Sequence, residues 1–244
     1  MIRMQSWDNV KAARRALQKD TFDGFVTDFI VPDEAEPARP QAFLVEQKPN
    51  WVLPPHFHLE HQFQVVTAGA GAIGRSGVTP LFIHYASPET GYGPVTAGPQ
   101  GVSYLTLRAV GDTGAWYLHK PEQRERMRRG LKKQQEHGAP KTKISEAELR
   151  SLSAPSIEEL ISPRENGLAA HLVRLPPEQT LALPPRHPHA GRFYVATCGS
   201  MLVADADLRA LSTVFASFDE SFSIRSGPHG VEVLVLQFPR DALE

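Results

Sequence analysis

The chain has 244 residues, enough for one large domain or two of ordinary size. Its 26 Lys and Arg residues against 27 Asp and Glu residues leave a net charge of -1, which argues against a general nucleic-acid binder. The 21 prolines and 18 glycines favour a loop-rich β protein over a helical bundle.

Two features of the sequence bear on the cellular setting. Cys198 is the only cysteine, so no disulfide framework exists and a reducing compartment fits. No stretch is apolar over the length that a signal peptide or a membrane span needs. We therefore expect a cytoplasmic protein without membrane contact.

The first half of the chain is expected to pass from helix to strands. Ser6 suits an N-cap position, and Val10, Ala13 and Leu17 share one face, which predicts an opening amphipathic helix. Between residues 42 and 110, short runs rich in β-branched and aromatic residues are separated by Gly and Pro. Such runs are typical of strands.

The middle of the chain favours helices. The run KPEQRERMRRGLKKQQEHG is strongly charged and predicts a solvated helix that ends at Gly138. Ser145 with Glu148, and Ser156 with Glu159, have capping-box spacing and predict two further short helices. After these helices the strand-like sequence resumes almost to the end of the chain.

The two strand-rich regions are copies of one module. Leu-Pro-Pro at 53–55 recurs at 183–185, and in the same register four more residues recur: Phe63 as Phe193, Val65 as Val195, Thr67 as Thr197 and Gly69 as Gly199. With one residue deleted, GPQGVSYLTL from Gly98 aligns with GPHGVEVLVL from Gly227. A repeat of this length indicates duplicated domains, because solenoid units are far shorter. Several short strands with turns predict a sandwich or barrel in each copy.

The first copy contains HFHLEHQFQVVTAG, which resembles the first motif of the cupin superfamily: His-x-His, three residues, usually Glu, six residues, then Gly. His56 and His58 occupy the histidine places, Gln62 the Glu place and Gly69 the Gly place. The chain is also similar to uncharacterised cupin-domain proteins with an HFH…QFQV motif. The resemblance covers both copies, but membership of so diverse a superfamily names no reaction.

The resemblance implies an all-β bicupin: two jelly-roll β-barrels in tandem, with short helices at the N-terminus and in the linker. The expected bounds are 1–120 for an N-terminal barrel with its leading helix, 121–166 for a helical linker and 167–244 for a degenerate C-terminal barrel.

The motif residues predict a divalent transition metal, Fe, Mn, Ni or Zn. In an extended strand His56 and His58 face the same way, and two neutral imidazoles preform half a coordination sphere. Gln62 offers an amide oxygen as a third ligand, and strand alternation puts Glu60 on the same face as a reserve anionic ligand. The alternative is a degenerate barrel whose polar interior binds water or an organic ligand.

Several other polar residues around the motif allow more than one role. His84, in an apolar strand, could be a further metal ligand or a hydrogen-bonded structural histidine. Tyr92 lies nearest to the third-histidine place of the second cupin motif and could donate a proton or only pack. His61 is expected on the opposite face. Arg108 could attract a carboxylate, although a surface salt bridge is the simpler interpretation. The candidate catalytic residues are thus Tyr92 and Glu60, and the candidate ligands are His56, His58, Gln62 and His84.

The second copy lacks the cupin ligands. Arg186 and Pro188 stand at the places of the two motif histidines, and Arg192 stands at the Gln62 place, where a cation would repel a metal. His187 and His189 are one residue out of register and would face the other way. The alternative is a new site made of His187, His189 and His229.

Two classes of function remain open. The first is a metal-dependent enzyme that acts on a small carbonyl or carboxylate substrate, either as a dioxygenase-type oxidoreductase or as an isomerase or lyase. The second is a non-catalytic bicupin that binds a small molecule or has a structural role. We expect a small-molecule substrate and no nucleic-acid partner, and homodimer formation is left open.

Overall fold

The computed structural model describes residues 1–33, 39–112, 114–128, 133–183 and 189–243. The chain folds into two compact units. Ala13–His137 form one unit, here called the N-terminal barrel. Met1–Ala12 and Gly138–Glu244 form the other, here called the C-terminal barrel.

The N-terminal barrel is an antiparallel β structure. Its strands are β2 (Arg15–Lys19), β3 (Phe22–Ile30), β4 (Gln41–Gln47), β5 (Val52–Leu53), β6 (His56–Phe57), β7 (Gln62–Ile73), β8 (Ser76–Val78), β9 (Ile83–Ala86), β10 (Val95–Arg108), β11 (Trp116–Tyr117) and β12 (Gln135–Gly138). The main sheet has the order β12-β9-β7-β10-β4-β3-β2, while β5 pairs with β10, β8 with β7, and β6 with β11. Val66 of β7 packs with Tyr92 and Tyr104 in the interior cluster, so Gln62 and Gln64, on the same face of β7, also point inward.

The C-terminal barrel repeats this arrangement. Its strands are β1 (Ile2–Gln5), β13 (Ser156–Ile161), β14 (Ala169–Leu175), β15 (Thr180–Ala182), β16 (His189–Val203), β17 (Ala206–Arg209), β18 (Thr213–Ser217) and β19 (Ser223–Pro239). The sheet has the order β1-β18-β16-β19-β14-β13, with β15 on β19 and β17 on β16. The strands β16 and β19 correspond to β7 and β10 of the first copy, and the described chain is all-β apart from a few short helices.

A pair of glycines shows how closely the two copies correspond. Gly69 and Gly199 have positive φ angles of 71° and 68°. A Cβ at either position would lie 2.2 Å from a carbonyl oxygen of the facing strand, that of Gly101 or Gly230. Only glycine fits this left-handed, crowded place, so the same backbone irregularity in both barrels confirms the duplication that the sequence predicts.

The predicted opening helix is largely wrong. Ser6 does cap a helix, but α1 (Trp7–Val10) is a single turn followed by a 3-10 turn (Lys11–Ala13), and Leu17 lies in β2. The first strand, β1, pairs with β18, with Ile2 opposite Ala216. Residues 1–12 therefore belong to the C-terminal barrel and not to the first one, because an edge-strand ladder overrides the weak helical pattern.

The expected helical linker of residues 121–166 is also corrected. The charged helix is reduced to α2 (Pro121–Arg124), and Gly138 ends a strand, β12, that pairs with β9. The Ser145 capping box is confirmed at α3 (Glu146–Arg150), whereas Ser156 begins β13 instead of a helix. In the described part of the chain, no helix has the length and apolar character needed to cross a membrane.

Candidate functional site

A chain of hydrogen bonds runs through the interior of the N-terminal barrel. Arg108 Nη2 donates to Gln62 Oε1 at 2.9 Å, and Gln62 Nε2 donates to the Tyr92 hydroxyl at 2.5 Å. The Tyr92 hydroxyl lies 2.9 Å from His56 Nε2, and His56 Nδ1 lies 2.8 Å from the carbonyl oxygen of Pro54. The backbone sets up the Tyr92 contact, because His56 and Tyr92 exchange both main-chain hydrogen bonds.

All hydrogen bonds in this series run in one direction, so that each group donates to one neighbour and accepts from the other. A carbonyl oxygen can only accept, so His56 Nδ1 carries the proton and His56 Nε2 accepts from Tyr92. Tyr92 then accepts from the amide nitrogen of Gln62, whose oxygen accepts from Arg108. An amide fits position 62 because it both donates and accepts, which an ionised carboxylate cannot do.

The protonation states agree with this direction. Burial, together with the charges of His58 and Arg108, lowers the pKa of His56 to about 3, so the ring is neutral near pH 7. Burial also raises the pKa of Tyr92 well above its ordinary value, so the hydroxyl keeps its proton.

The Gln62 amide is expected to act as a hydrogen-bond link, so Gln62→Glu should not create a better metal site. The control is Gln64→Glu, which adds the same charge one pleat along β7. We expect the Mn²⁺ dissociation constants of the two variants, measured by equilibrium dialysis, to agree within about threefold. Binding at least tenfold tighter in Gln62→Glu than in Gln64→Glu would instead identify Gln62 as a metal ligand.

Arg108 is the central charge of this site. The residue is 1% exposed, which corrects the interpretation of a surface salt bridge. Besides Gln62, Nη1 donates to Gln41 Oε1 at 2.8 Å, and Nη2 lies 3.2 Å from both Asp112 Oδ2 and His58 Nδ1. The Nε atom is buried without a hydrogen-bond partner. A buried guanidinium of this kind needs anionic neighbours, and Asp112 is one of them.

The second polar group of the site is a cluster of His58, Glu60 and Asp112. One ligand atom from each residue lies within 4.8 Å of the other two. Asp112 Oδ1 is 3.1 Å from His58 Nδ1. Burial alone would raise the pKa of Asp112, but the hydrogen bond from His58 and the charge of Arg108 outweigh it and hold the pKa well below the ordinary value; a hydrogen bond with Glu60 adds to this effect. Asp112 is therefore ionised. Burial and the charge of Arg108 lower the pKa of His58, which keeps the imidazole available as a ligand.

Asp112 is not among the site residues predicted from the sequence. It lies in the turn after β10, four residues beyond Arg108, and its backbone N–H donates to Gln41 Oε1 at 3.3 Å. Gln41 is opposite Arg108 in the β10–β4 ladder. The sequence does show an acid shortly after a strand that ends in arginine. Its contact with His58, however, depends on strand pairing between segments more than fifty residues apart, which the sequence does not show.

The other predicted residues are distributed around these two groups. His56 and His58 do face each other, with ring centroids 5.3 Å apart.

His84 is fully buried, but Nδ1 lies 2.9 Å from Gln64 Oε1 and Nε2 lies 3.1 Å from Gln135 Nε2. His84 is thus a hydrogen-bonded histidine next to Tyr92, with ring centroids 4.6 Å apart. His61 contacts the Tyr85 hydroxyl on the other face of the strand.

These contacts bear on which donor set could hold a divalent metal ion. An ion on the set expected from the cupin motif would have to replace two hydrogen bonds, that of Arg108 to Gln62 Oε1 and that of Tyr92 to His56 Nε2. An ion on His58, Glu60 and Asp112 would likewise replace contacts of Arg108, those with His58 and Asp112. This set is the better candidate because it supplies one imidazole and two carboxyl groups, donors that suit Mn, Fe or Zn, whereas the motif set has no anionic donor. It shares only His58 with the two-histidine motif.

The C-terminal barrel contains a buried Arg–Gln pair like that of Arg108 and Gln62, but the arginine and the glutamine lie on the opposite strands of the pair. In the repeat, Arg192 stands at the Gln62 place and Gln237 at the Arg108 place, and the two are opposite each other in the β16–β19 ladder. Arg192 Nε and Nη2 donate to Gln237 Oε1 at 2.9 and 2.7 Å. A cation thus lies at this place in both barrels. Arg186, His187 and Pro188 lie outside the described residues, and His229 is exposed.

Comparison with known proteins gives structural relatives only. No family model matches the sequence, and no curated protein matches it. Among solved structures, the 11S allergen from Cocos nucifera is 11% identical, with a TM-score of 0.62 over 98% of this chain and 89% of that one. An oxalate decarboxylase is 12% identical, with a TM-score of 0.61 over 98% and 78% of the two chains. The Lactobacillus farciminis oxalate decarboxylase formate complex is 13% identical, with a TM-score of 0.58 over 94% and 85%.

These similarities show the fold. The chain consists of two cupin-type jelly-roll barrels in tandem, as the resemblance in its sequence implies. At such low identity the likeness carries no reaction and no ligand.

Proposed function

We propose that the N-terminal barrel is the active site of a metal-dependent enzyme that acts on a small carboxylate. The observation that carries this proposal is the convergence of His58, Glu60 and Asp112 within 4.8 Å beside the buried guanidinium of Arg108. The names of several structural neighbours support it, since they are oxalate decarboxylases, and one of those structures concerns Mn(II) centres in the Bacillus subtilis enzyme.

The charges of the site favour an anionic substrate. Two ionised carboxylates, one guanidinium and one divalent cation leave a net positive charge in a largely buried place. Burying such a charge is unfavourable unless an anion accompanies it. A substrate carboxylate supplies that anion, and it would lie between the ion and the Arg108 side of the site.

The residues of the chain favour proton transfer over other chemistry. A bound divalent ion would polarise a carbonyl or carboxylate oxygen of the substrate. Tyr92 holds a proton on its hydroxyl, aimed at neutral His56, so this pair can hold a proton that the substrate gains or loses. Asp112 and Glu60 are joined by a hydrogen bond. The carboxyl groups must release the proton of that bond when they bind a cation. We therefore favour an isomerase or lyase reaction over an O2-dependent oxidation.

A second candidate is a non-catalytic binding protein. The observation that favours it is the contact of Arg108 with Gln62 and His58, which closes the cupin metal position with a cation of the protein itself. In that case the barrel would bind an organic anion without any metal.

Turnover of a panel of ¹³C-labelled dicarboxylic and 2-oxo acids is expected to require Mn²⁺ and not O2. Product formation would be followed by ¹³C NMR under air and under argon, with free Mn²⁺ as the blank. We expect equal rates in the two atmospheres and at least about a hundredfold loss in Asp112→Asn, because a ligand is removed. Turnover that survives full chelation would contradict a metal enzyme, and turnover only in air would identify an oxidase or dioxygenase.

A further inference from the structure

The C-terminal barrel contains a buried cation that has no anionic partner among the described residues. Arg192 is 8% exposed, and its hydrogen bonds to described residues go to the neutral oxygens of Gln237 and Leu183 and to the hydroxyl of Tyr194. No carboxylate of the described residues forms an ion pair with it. In the first barrel Asp112 has this role towards Arg108, but its repeat equivalent, Asp241, is exposed.

Arg192 faces open space on two sides. It lines one cavity of about 360 Å³ together with His189, Tyr194 and Phe222. It also lines a second cavity of about 340 Å³ with His171 and Glu159. Each terminal nitrogen of a guanidinium carries two N–H groups. Among the described residues, Gln237 and Leu183 take one on each nitrogen and Tyr194 takes another. One N–H donor therefore remains for a ligand.

The first cavity combines this cation with aromatic walls. The ring of Tyr194 lies 4.4 Å from that of Phe222, and the ring of His189 lies 5.0 Å from that of Phe218. Burial and the charge of Arg192 lower the pKa of His189 to about 4, so His189 is neutral near pH 7. Burial raises the pKa of Tyr194, so its hydroxyl also stays protonated and can donate.

The acidic side chains around Arg192 do not neutralise its charge in the way that a bound anion would. Asp219 and Glu220 line the mouth of the first cavity, where their side chains are 79% and 39% exposed and water screens them. Glu159 of the second cavity is opposite His171 in the β13–β14 ladder. A buried guanidinium, one remaining N–H donor and aromatic walls are the features of a site for an anion with an apolar body.

We propose that the C-terminal barrel binds a small monocarboxylate with a ring-sized apolar body, without a metal, through Arg192. The carboxylate meets the guanidinium and the Tyr194 hydroxyl, and the apolar body lies against Phe218 and Phe222. This site would be a second ligand site of the chain, distinct from the metal centre proposed for the N-terminal barrel.

Calorimetric titration of the full chain with benzoate tests this proposal. Benzamide, the neutral molecule of the same shape, is the ligand control. We expect benzoate to bind at least about tenfold more tightly than benzamide, because the carboxylate forms charge-assisted hydrogen bonds. Arg192→Gln should weaken benzoate binding at least about tenfold, whereas Arg209→Gln, on an exposed arginine of the same barrel, should leave it unchanged.

Two further variants keep the test decisive. Phe218→Ser replaces a side chain that is 51% exposed, so it should fold even if Arg192→Gln does not, and it should weaken benzoate several-fold. Asp112→Asn disables the proposed metal centre and should leave benzoate binding intact. Equal affinity for benzamide, unchanged binding in Phe218→Ser, or loss of binding in Asp112→Asn would each overturn the proposal, whatever the outcome for the metal centre.

Discussion

His58→Ala and Asp112→Asn are each expected to abolish retention of a divalent transition ion, whereas His56→Asn is expected to keep it. The reason is geometric: His58 and Asp112 belong to the cluster that can enclose an ion, while both ring nitrogens of His56 are in hydrogen bonds. Loss of one ligand from a three-residue set should weaken Mn²⁺ binding by at least about a hundredfold. Metal content after chelator-free purification, and equilibrium dialysis with Mn²⁺, measure this effect.

The matched control for these variants is His61→Asn. It removes a histidine of the same segment whose ring contacts Tyr85 on the opposite face, so metal content should not change. If His56→Asn lost the ion as completely as His58→Ala, the two-histidine set of the cupin motif would be the true site, and the cluster with Asp112 would not.

Replacement of Arg108 by Met is expected to lower the free energy of unfolding by about 3–5 kcal/mol, the usual effect of breaking a buried ion pair. The substitution leaves Asp112 without its buried cation and removes the donor to Gln62 and Gln41. Urea unfolding of the purified variant, followed by circular dichroism, gives the value.

Two comparisons sharpen that measurement. Arg14→Met breaks the pair with Glu46, whose partners are 41% and 24% exposed, and should lower stability by about 1 kcal/mol or less. The double variant Arg108→Met/Asp112→Asn should recover part of the loss, because no unpaired charge is then buried. A loss below about 1 kcal/mol in Arg108→Met alone would show that Arg108 is not the central charge of the site.

The sequence predicts the fold well because the signals of a β repeat are local. The glycines at 69 and 199, the alternation in the strands and the in-register identities depend on neighbouring residues or on simple duplication. The predictions of helices at the N-terminus and between the barrels are wrong because the structure of these segments depends on distant residues. β1, β12 and β13 exist only because the edge of a sheet accepts them, and edge pairing is not encoded in the strand alone.

The sequence brings the candidate site residues together but does not show their hydrogen-bond partners. The motif locates His56, His58 and Gln62 in one barrel interior, and alternation adds Glu60. Arg108 and Asp112 change what those residues do, and they come from the far end of β10 through its pairing with β7 and β4. Long-range register of this kind cannot be read from spacing, so an amide that looks like a metal ligand becomes a link between Arg108 and Tyr92.

The position of the metal ion itself is the most direct test. Crystals of Mn²⁺-loaded protein should show a single strong anomalous peak in the N-terminal barrel, within about 2.0–2.3 Å of donor atoms of His58, Glu60 and Asp112. Arg108 should remain hydrogen-bonded to Gln62. A peak bound by His56, His58 and Gln62, with Arg108 displaced, would contradict the proposed centre, as would a metal-loaded second barrel.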